Sequence, residues 1–345
     1  MEPHLLTIKD LVIEADVGGV WQPIVKGLSL SLAQGEVVGL IGESGAGKST
    51  LGLAALGYTK PGCRIRSGSI VLGGQQLVDL PEPALRKLRG VQVSYVAQSA
   101  AAAFNPAHSL MDQFIEAPVQ HGRFKKHEAQ ERGRQLFRQL QLPDPDHIGQ
   151  RYPHQVSGGQ LQRMMTAMAM GCQPEIVVFD EPTTALDVTT QIEVLSAIKE
   201  AVRARASAAI YITHDLAVVA QVSDRIMVLR DGDLIEQGNT RALLADPQEN
   251  YTRRLLSVRS SRNKRVVAEE TDVVLNVEGV TARYPGTQVD VLSNIDVQVE
   301  RGRTVAVVGE SGSGKSTLAR VITGLLPPIQ GRVSFAGRQL SASLS

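Results

Sequence analysis

Three short, unbroken apolar runs mark the chain: Val-Val-Gly-Leu-Ile at 37–41, Ile-Val-Val-Phe at 176–179 and Ala-Ile-Tyr-Ile at 209–212. Continuous runs of this length are the pattern of strands buried on both faces, as in parallel sheets. The stretch 49–56, rich in Leu and Ala, reads as a helix after the first run. Between the second and third runs, residues 188–202 place Ile192, Leu195, Ile198 and Val202 near helical spacing. Strand, helix and strand in this order predict a parallel α/β architecture with its chemistry at the carboxyl ends of the strands. The middle, about 81–168, holds several helical stretches with proline breaks such as Leu142-Pro-Asp-Pro145. It reads as a helical subdomain inserted into the α/β core.

The pattern then repeats. Residues 42–50 read GESGAGKST and residues 309–317 read GESGSGKST, one difference in nine positions at an offset of 267. The likeness extends colinearly: 35–41 matches 302–308, 68–77 matches 331–340, and 5–12 resembles 274–280. A repeat of this kind means that two homologous units begin in the chain. The first occupies about 1–256. The polar stretch 257–271, with Arg259, Arg262, Lys264 and Arg265 but no helical or strand period, has the composition of a solvated tether. The second unit runs from 272 to 345, about 74 residues. It reads as the start of a unit, so that the chain is either a fragment of a protein of about 500–550 residues or a truncated product.

Composition narrows the class. At roughly 150 residues per domain, 345 residues suggest two domains. Thirty-six Lys and Arg against thirty-five Asp and Glu leave a charge of +1, which supplies no dominant basic field, so no nucleic-acid partner is expected. No apolar run approaches the eighteen or so residues of a membrane span. The N-terminus is acidic where a signal peptide is basic. Cys63 and Cys172 are far apart and form no CxxC, which argues against a disulfide scaffold or zinc site and for buried, reduced thiols. The expectation is a soluble, cytoplasmic protein in two parts.

Gly42-Glu43-Ser44-Gly45-Ala46-Gly47-Lys48-Ser49-Thr50 has the P-loop spacing in the context it needs, after a strand and before a helix. Its glycines allow a backbone ring whose N–H groups face phosphate oxygens, with a helix N-terminus behind. Lys48 supplies a mobile charge to the β- and γ-phosphates, and the Ser49 hydroxyl is placed to ligate magnesium. An incidental glycine-rich turn is the bland alternative, and two copies in the same context argue against it. Gly309, Gly312, Gly314, Lys315, Ser316 and Thr317 repeat the arrangement. Asp180-Glu181 closes the second apolar run; alone it equally describes solvated acids at a strand end. Beside a P-loop, Asp180 becomes the magnesium partner and Glu181 a general base for an attacking water. His214 follows the third run. Such a residue is commonly a satisfied core histidine, yet at the same sheet edge it is placed to hydrogen-bond a γ-phosphate or hold that water.

Val156-Ser157-Gly158-Gly159-Gln160-Leu161-Gln162-Arg163 resembles the signature motif of ATP-binding cassette (ABC) ATPases, with Val156 where Leu is commoner. With the P-loop, Gln98 as Q-loop glutamine, the Asp180-Glu181 end, Ala185-Leu186-Asp187 as D-loop and His214 as switch histidine, six motifs stand in the family's order. The resemblance covers 1–256 and the start of a second cassette. It implies a P-loop NTPase with a parallel-sheet RecA-like core, an antiparallel β subdomain and a helical ABC-specific subdomain, the second cassette truncated. It also implies ATP and Mg2+, the metal near Ser49, Gln98 and Asp180, and near Ser316 in the second copy. Cassettes of the family pair head to tail, so that Ser157, Gly158, Gly159 and Gln160 serve the nucleotide of the other cassette, with Asp187 beside it. Tyr284, 31 residues before Lys315, stands where the family stacks an aromatic on adenine. The first unit has Glu14-Ala-Asp-Val there; Trp21 is the nearest ring, weighed against simple packing. Met164, Met165, Met168 and Met170 read as helix packing.

Asn105-Pro106 after Gln98, Tyr251-Thr-Arg-Arg-Leu-Leu256 and the tandem arrangement resemble the oligopeptide, dipeptide, nickel and glutathione-type importer ATPases. The Q-loop here lacks the Asp-Pro step often seen next. That branch implies two separate transmembrane permease subunits, an extracytoplasmic solute-binding protein, a second ABC cassette in the intact protein or another chain, and a place at the cytoplasmic face of the inner membrane. Peptides or related small solutes are the implied cargo. The alternative is a soluble tandem ABC ATPase acting on ribosomes or DNA. The tether of about fifteen residues and the lack of coiled-coil or zinc insertions argue against it.

Overall fold

The computed structural model describes residues 4–183, 188–203, 207–257, 272–309 and 312–340. The chain divides into two compact units. The first opens with β1 (Leu6–Val17) and β2 (Val20–Leu32), followed by β3 (Val37–Ile41), α1 (Lys48–Ala54), β4 (Cys63–Leu72) and β5 (Gln75–Gln76). Strands β2-β1-β4-β5 form an antiparallel sheet. Alternating Leu6 and Ile8, then Leu11 and Ile13 after a register shift, turn one face of β1 inward, where all four are buried.

After α2 (Glu82–Leu88), the chain supplies β6 (Val93–Val96), and then α3 (Ala100–Ala103), α4 (Leu110–Gln120), α5 (Lys126–Gln139) and α6 (Gly158–Met170). The stretch 81–168 is therefore not helical throughout: β6 lies inside it and joins the core sheet. Val-Ser-Tyr-Val is too short, and too polar at its centre, to announce a strand by periodicity. The helices following β6 pack on one another through Leu110, Leu136, Met164 and Met170, with Phe114 edge-on to Phe137 at 5.5 Å. Met165 is buried in the same cluster and Met168 packs against it, so the four methionines are packing residues.

The chain continues through β7 (Ile176–Asp180), α7 (Val188–Arg203), β8 (Ala208–Ile212), α8 (Leu216–Val222), β9 (Arg225–Arg230), β10 (Asp233–Asn239), α9 (Thr240–Ala245) and α10 (Asn250–Ser257). The core sheet has the order β10-β9-β3-β8-β7-β6. Every pairing in it is parallel except β10 with β9. Each residue of β3, β7 and β8 is buried, as the unbroken apolar runs predict. Both cysteines are free. Cys172 is buried, but Cys63 begins β4 and is only half-buried, so the expectation of two buried thiols holds for Cys172 alone.

The second unit has β11 (Val273–Ala282), β12 (Leu292–Glu300), α11 (Lys315–Ile322), β13 (Gln330–Phe335) and β14 (Arg338–Gln339). Its sheet order β12-β11-β13-β14 repeats β2-β1-β4-β5. Val277, Val280, Leu292, Leu318 and Val333 form its core. Residues 304–308, the counterpart of β3, are not a strand, and Val305, Val307 and Val308 stand exposed. Among the described residues of this unit nothing pairs with them, and a strand without a neighbour leaves its backbone groups to water. From 258 on, the tether lies outside the described residues.

Candidate active site

Parallel register places the chemistry. Leu40 of β3 and Asp180 of β7 both pair with Ile212 of β8, and Val96 of β6 pairs with Phe179. The segments leaving these strands therefore start at one level on one edge of the sheet: the P-loop, His214, Glu181 and Gln98. They line a cavity of about 710 Å³ together with Ser44, Gly45, Gly47, Lys48, Ser49, Thr50, Ile24 and Lys60.

Gly47 precedes α1 in the left-handed region at φ 90°, and a Cβ there would stand 2.8 Å from the Ile24 carbonyl oxygen. Only glycine fits that position. Gly314 repeats it at φ 93°, so the two loops share their backbone turn into the helix. Lys48 is buried beneath the cavity, where its ammonium donates to the carbonyls of Gly42 (2.9 Å) and Glu43 (2.8 Å). Burial lowers its pKa, and the carboxylates of Glu181 and Asp180 oppose that shift. In the second loop Lys315 donates to Gly309 at 2.7 Å.

Asp180 is buried, and two hydroxyls fix its carboxylate. Ser49 Oγ donates to Oδ1 at 2.9 Å, and the Tyr95 hydroxyl donates to Oδ2. Burial raises the tyrosine pKa, and the hydrogen bond to Asp180 raises it further, so the phenol stays protonated. Ser49 on the cavity wall and the buried Asp180 hydrogen-bonded to it offer two hard oxygen donors. This set fits Mg2+, which keeps waters and substrate phosphates in the rest of its octahedron.

Glu181 occupies the left-handed region at φ 47°, a strained place for a residue with a side chain. Its N–H donates to the Ile212 carbonyl at 2.9 Å, tying the turn to β8. Gln98 Nε2 donates to Oε2 at 3.0 Å, and His214 Nδ1 lies 3.2 Å from Oε1. The carboxylate is 17% exposed while His214 is 61% exposed, so the acid is sheltered and the imidazole faces the opening.

The signature residues are not part of this cavity. Ser157 caps α6: its Oγ accepts from Gln160 N–H (3.3 Å), and Gln160 Oε1 accepts from Ser157 N–H (3.1 Å). Gly158 and Gly159 form the first turn, whose amides have no intrahelical acceptor. Ala185, Leu186 and Asp187 lie outside the described residues, as do Glu310 and Ser311. Trp21 does not line the cavity; the Arg64 guanidinium covers its ring at 4.0 Å. Strand register identifies the counterpart of Tyr284 in the first unit. Ile13 pairs with Val25 and Ala282 with Leu292, so the place of Tyr284 is taken by Ala15. The Tyr284 hydroxyl lies 3.2 Å from Thr317 Oγ1, and Arg320 donates to it at 3.1 Å. Sequence reasoning missed Tyr95, Ile24 and Lys60. Tyr95 stands three positions before Gln98, and that spacing from the glutamine at a strand end is the one signal it offers.

Comparison with known proteins follows the same lines. The sequence model of the family described as ABC transporter matches residues 25–184 and 292–344. The chain is 36% identical over 350 residues to the peptidoglycan transport ATP-binding protein YejF of Agrobacterium fabrum, covering 98% of this chain and 64% of that protein. It is 31% identical over 377 residues to the glutathione import ATP-binding protein GsiA of Salmonella choleraesuis, covering 97% and 60% respectively. It thus spans somewhat under two thirds of the length of these curated relatives. Among solved structures, the ATP-binding cassette MJ0796, a dimer in a post-hydrolysis state with ADP and Pi, has TM-score 0.62 at 24% identity, covering 68% of this chain and 99% of that one. Part of the cbiONQ transporter complex, cbiO1 from Clostridium perfringens, has TM-score 0.60 at 23% identity, covering 76% and 97%. These structural likenesses concern the fold.

Tyr95→Phe keeps the ring in β6 and removes one of the two hydroxyls on Asp180. A hydrogen bond to a charged group is worth about 1.5–3 kcal/mol, or at least about tenfold in an equilibrium. The Mg2+ concentration for half-maximal nucleotide turnover is expected to rise by about that factor, with nucleotide binding in EDTA unchanged. An unaltered Mg2+ titration would remove Tyr95 from the site.

Proposed function

The chain belongs to the ABC transporter family of ATP-binding proteins, and on that premise we propose that it hydrolyses ATP to energise an importer of peptides or related small solutes. The observation that carries the reading is the Glu181 carboxylate, held between Gln98 and His214 on the wall of the P-loop cavity. With ATP in place, the loop amides and Lys48 hold the triphosphate. Glu181 takes a proton from a water as its oxygen attacks the γ-phosphorus. The bond from γ-phosphorus to the bridging oxygen breaks, and ADP and phosphate result. Lys48 and His214 stand where the charge of the transferred phosphoryl group develops. Mg2+ at Ser49 and Asp180, when bound, neutralises β- and γ-phosphate charge.

The signature at the start of α6 lies outside its own cavity, which supports a role on the nucleotide of a paired cassette. The permeases and the solute-binding protein are separate chains in this reading. Among the described residues no helix is long and apolar enough to cross a membrane. A peripheral place at the cytoplasmic face therefore rests on docking to permeases. Both relatives named above are transport proteins, for peptidoglycan and for glutathione, and both cargoes contain amide-linked amino acids. The alternative of a ribosome- or DNA-acting ATPase gains no support from them.

Lys48→Ala is expected to abolish ATP binding in equilibrium titration; wild-type affinity in that variant would sink the assignment of the P-loop. Glu181→Gln is expected to bind ATP normally while turnover falls by about 10²–10⁴, the usual contribution of a general base. Equal turnover in the two proteins would remove Glu181 from that role. Co-expressed with its permeases and solute-binding protein, the chain is expected to copurify with them from detergent. Mass spectrometry of the ligand on the binding protein should then find a peptide-like solute; a sugar or free metal there would contradict the proposed cargo.

A further inference from the structure

The motif Tyr251-Thr-Arg-Arg-Leu-Leu256 has no part in the chemistry above, yet α10 carries it to the back of the P-loop. The Tyr251 hydroxyl accepts the main-chain N–H of Glu43 at 3.3 Å. Burial is the chief cause that raises its pKa, and the bond from the Glu43 amide opposes the shift. The ring is held in turn: the Arg230 guanidinium lies 5.1 Å over it, at the end of β9. Tyr251, Leu255 and Leu256 pack on a buried cluster that includes Ile41, the last residue of β3, and Leu216, which opens α8 just after His214. The start of α10 is pinned as well. Glu236 of β10 accepts from the N–H groups of Gln248 (2.8 Å) and Glu249 (3.2 Å), and Arg253 donates to the Pro247 carbonyl at 2.9 Å. Tyr251 thus reaches Glu43 from a base anchored in the core sheet.

Glu43 is held from two sides. Its carbonyl accepts from Lys48 inside the loop, and its N–H donates to Tyr251 outside. A triphosphate in the cavity draws the Lys48 ammonium to its own oxygens, and the inner restraint on Glu43 is given up. The outer one does not depend on Lys48.

We infer that Tyr251 is a positioning residue for nucleotide binding: from α10 it holds the P-loop in its phosphate-receiving shape at the moment Lys48 leaves the loop carbonyls. The inference rests on the reading of this loop as an ATP site. Its reach is one loop deep, through Glu43, and Tyr251 touches no reacting atom. Preorganisation of this kind acts on affinity, because a loop already in shape need not be ordered by the ligand.

The test is a titration of the full chain with a fluorescent ATP analogue, in wild type, Tyr251→Phe and Tyr251→Ala, beside the thermal midpoint of each nucleotide-free protein. Tyr251→Phe keeps the ring, its packing and the Arg230 stacking, and loses the hydroxyl alone. Its Kd is expected to rise about threefold to tenfold, the size of one ordinary hydrogen bond, with the thermal midpoint of wild type and most of the turnover loss in KM. Tyr251→Ala is expected to lose affinity and thermal midpoint together. Wild-type Kd in Tyr251→Phe overturns the inference, as does an affinity loss confined to Tyr251→Ala, which marks packing alone. If wild type itself binds no ATP analogue, the reading of the loop fails, and the inference with it.

Discussion

The in-register parallel pairing of β3, β8, β7 and β6 is the constraint on which the site depends. Leu40, Ile212 and Asp180 stand at one level across three strands, so the segments that follow converge without any loop having to travel. Glu181 turns immediately after Asp180, in a strained backbone conformation that the hydrogen bond from its N–H to the Ile212 carbonyl holds in place. A shift of one residue in β7 would reverse the facing of every side chain on that strand and send Asp180 away from Ser49. The burial of all five residues in each of β3, β7 and β8 makes such a shift costly, because the core on both faces would be lost.

On that edge, the charges of the site are satisfied by neighbouring protein groups. Lys48 is folded onto loop carbonyls, Asp180 onto the hydroxyls of Ser49 and Tyr95, and Glu181 onto Gln98 and His214. Each of these partnerships involves a group that a triphosphate or its metal would claim, so ligand binding exchanges one set of bonds for another and does not meet bare buried charges. The supports that remain afterwards are tyrosines: Tyr95 beneath Asp180 and Tyr251 behind Glu43. They hold the shape of the site while its inner hydrogen bonds are traded.

Legibility in the sequence followed range. The buried strands, the P-loop, Asp180-Glu181 and His214 were readable because each is a local pattern whose physics is local too: apolar runs make strands, and glycine spacing makes a phosphate cradle; Gln98 was named only through the family resemblance. The roles of Tyr95 and Tyr251 were not readable. Their partners lie 85 and 208 residues away, and the packing that joins them is a property of the folded chain. Four residues of β6 carried too little period to separate a core strand from its helical surroundings. The left-handed turn at Glu181 leaves no mark in the residue type. The counterpart of Tyr284 was half legible: the absence of an aromatic could be read, but that Ala15 occupies the place required the strand pairing, and Ile24 and Lys60 reach the cavity wall only in the folded chain. The second unit shows the same limit. Residues 302–308 match 35–41 in sequence, yet residues 37–41 form a strand and 304–308 do not, because a strand takes its stability from neighbours as much as from composition.

A crystal structure of the chain with a non-hydrolysable ATP analogue and Mg2+ tests the convergence of these residues on one nucleotide. The triphosphate is expected in the first P-loop, with Lys48 swung from the Gly42 and Glu43 carbonyls to phosphate oxygens, the metal on Ser49 beside Asp180, and Glu181 facing a water in line with the γ-phosphorus. A nucleotide bound away from this loop, or a Glu181 carboxylate turned from the γ-phosphate with no water between them, would contradict that convergence.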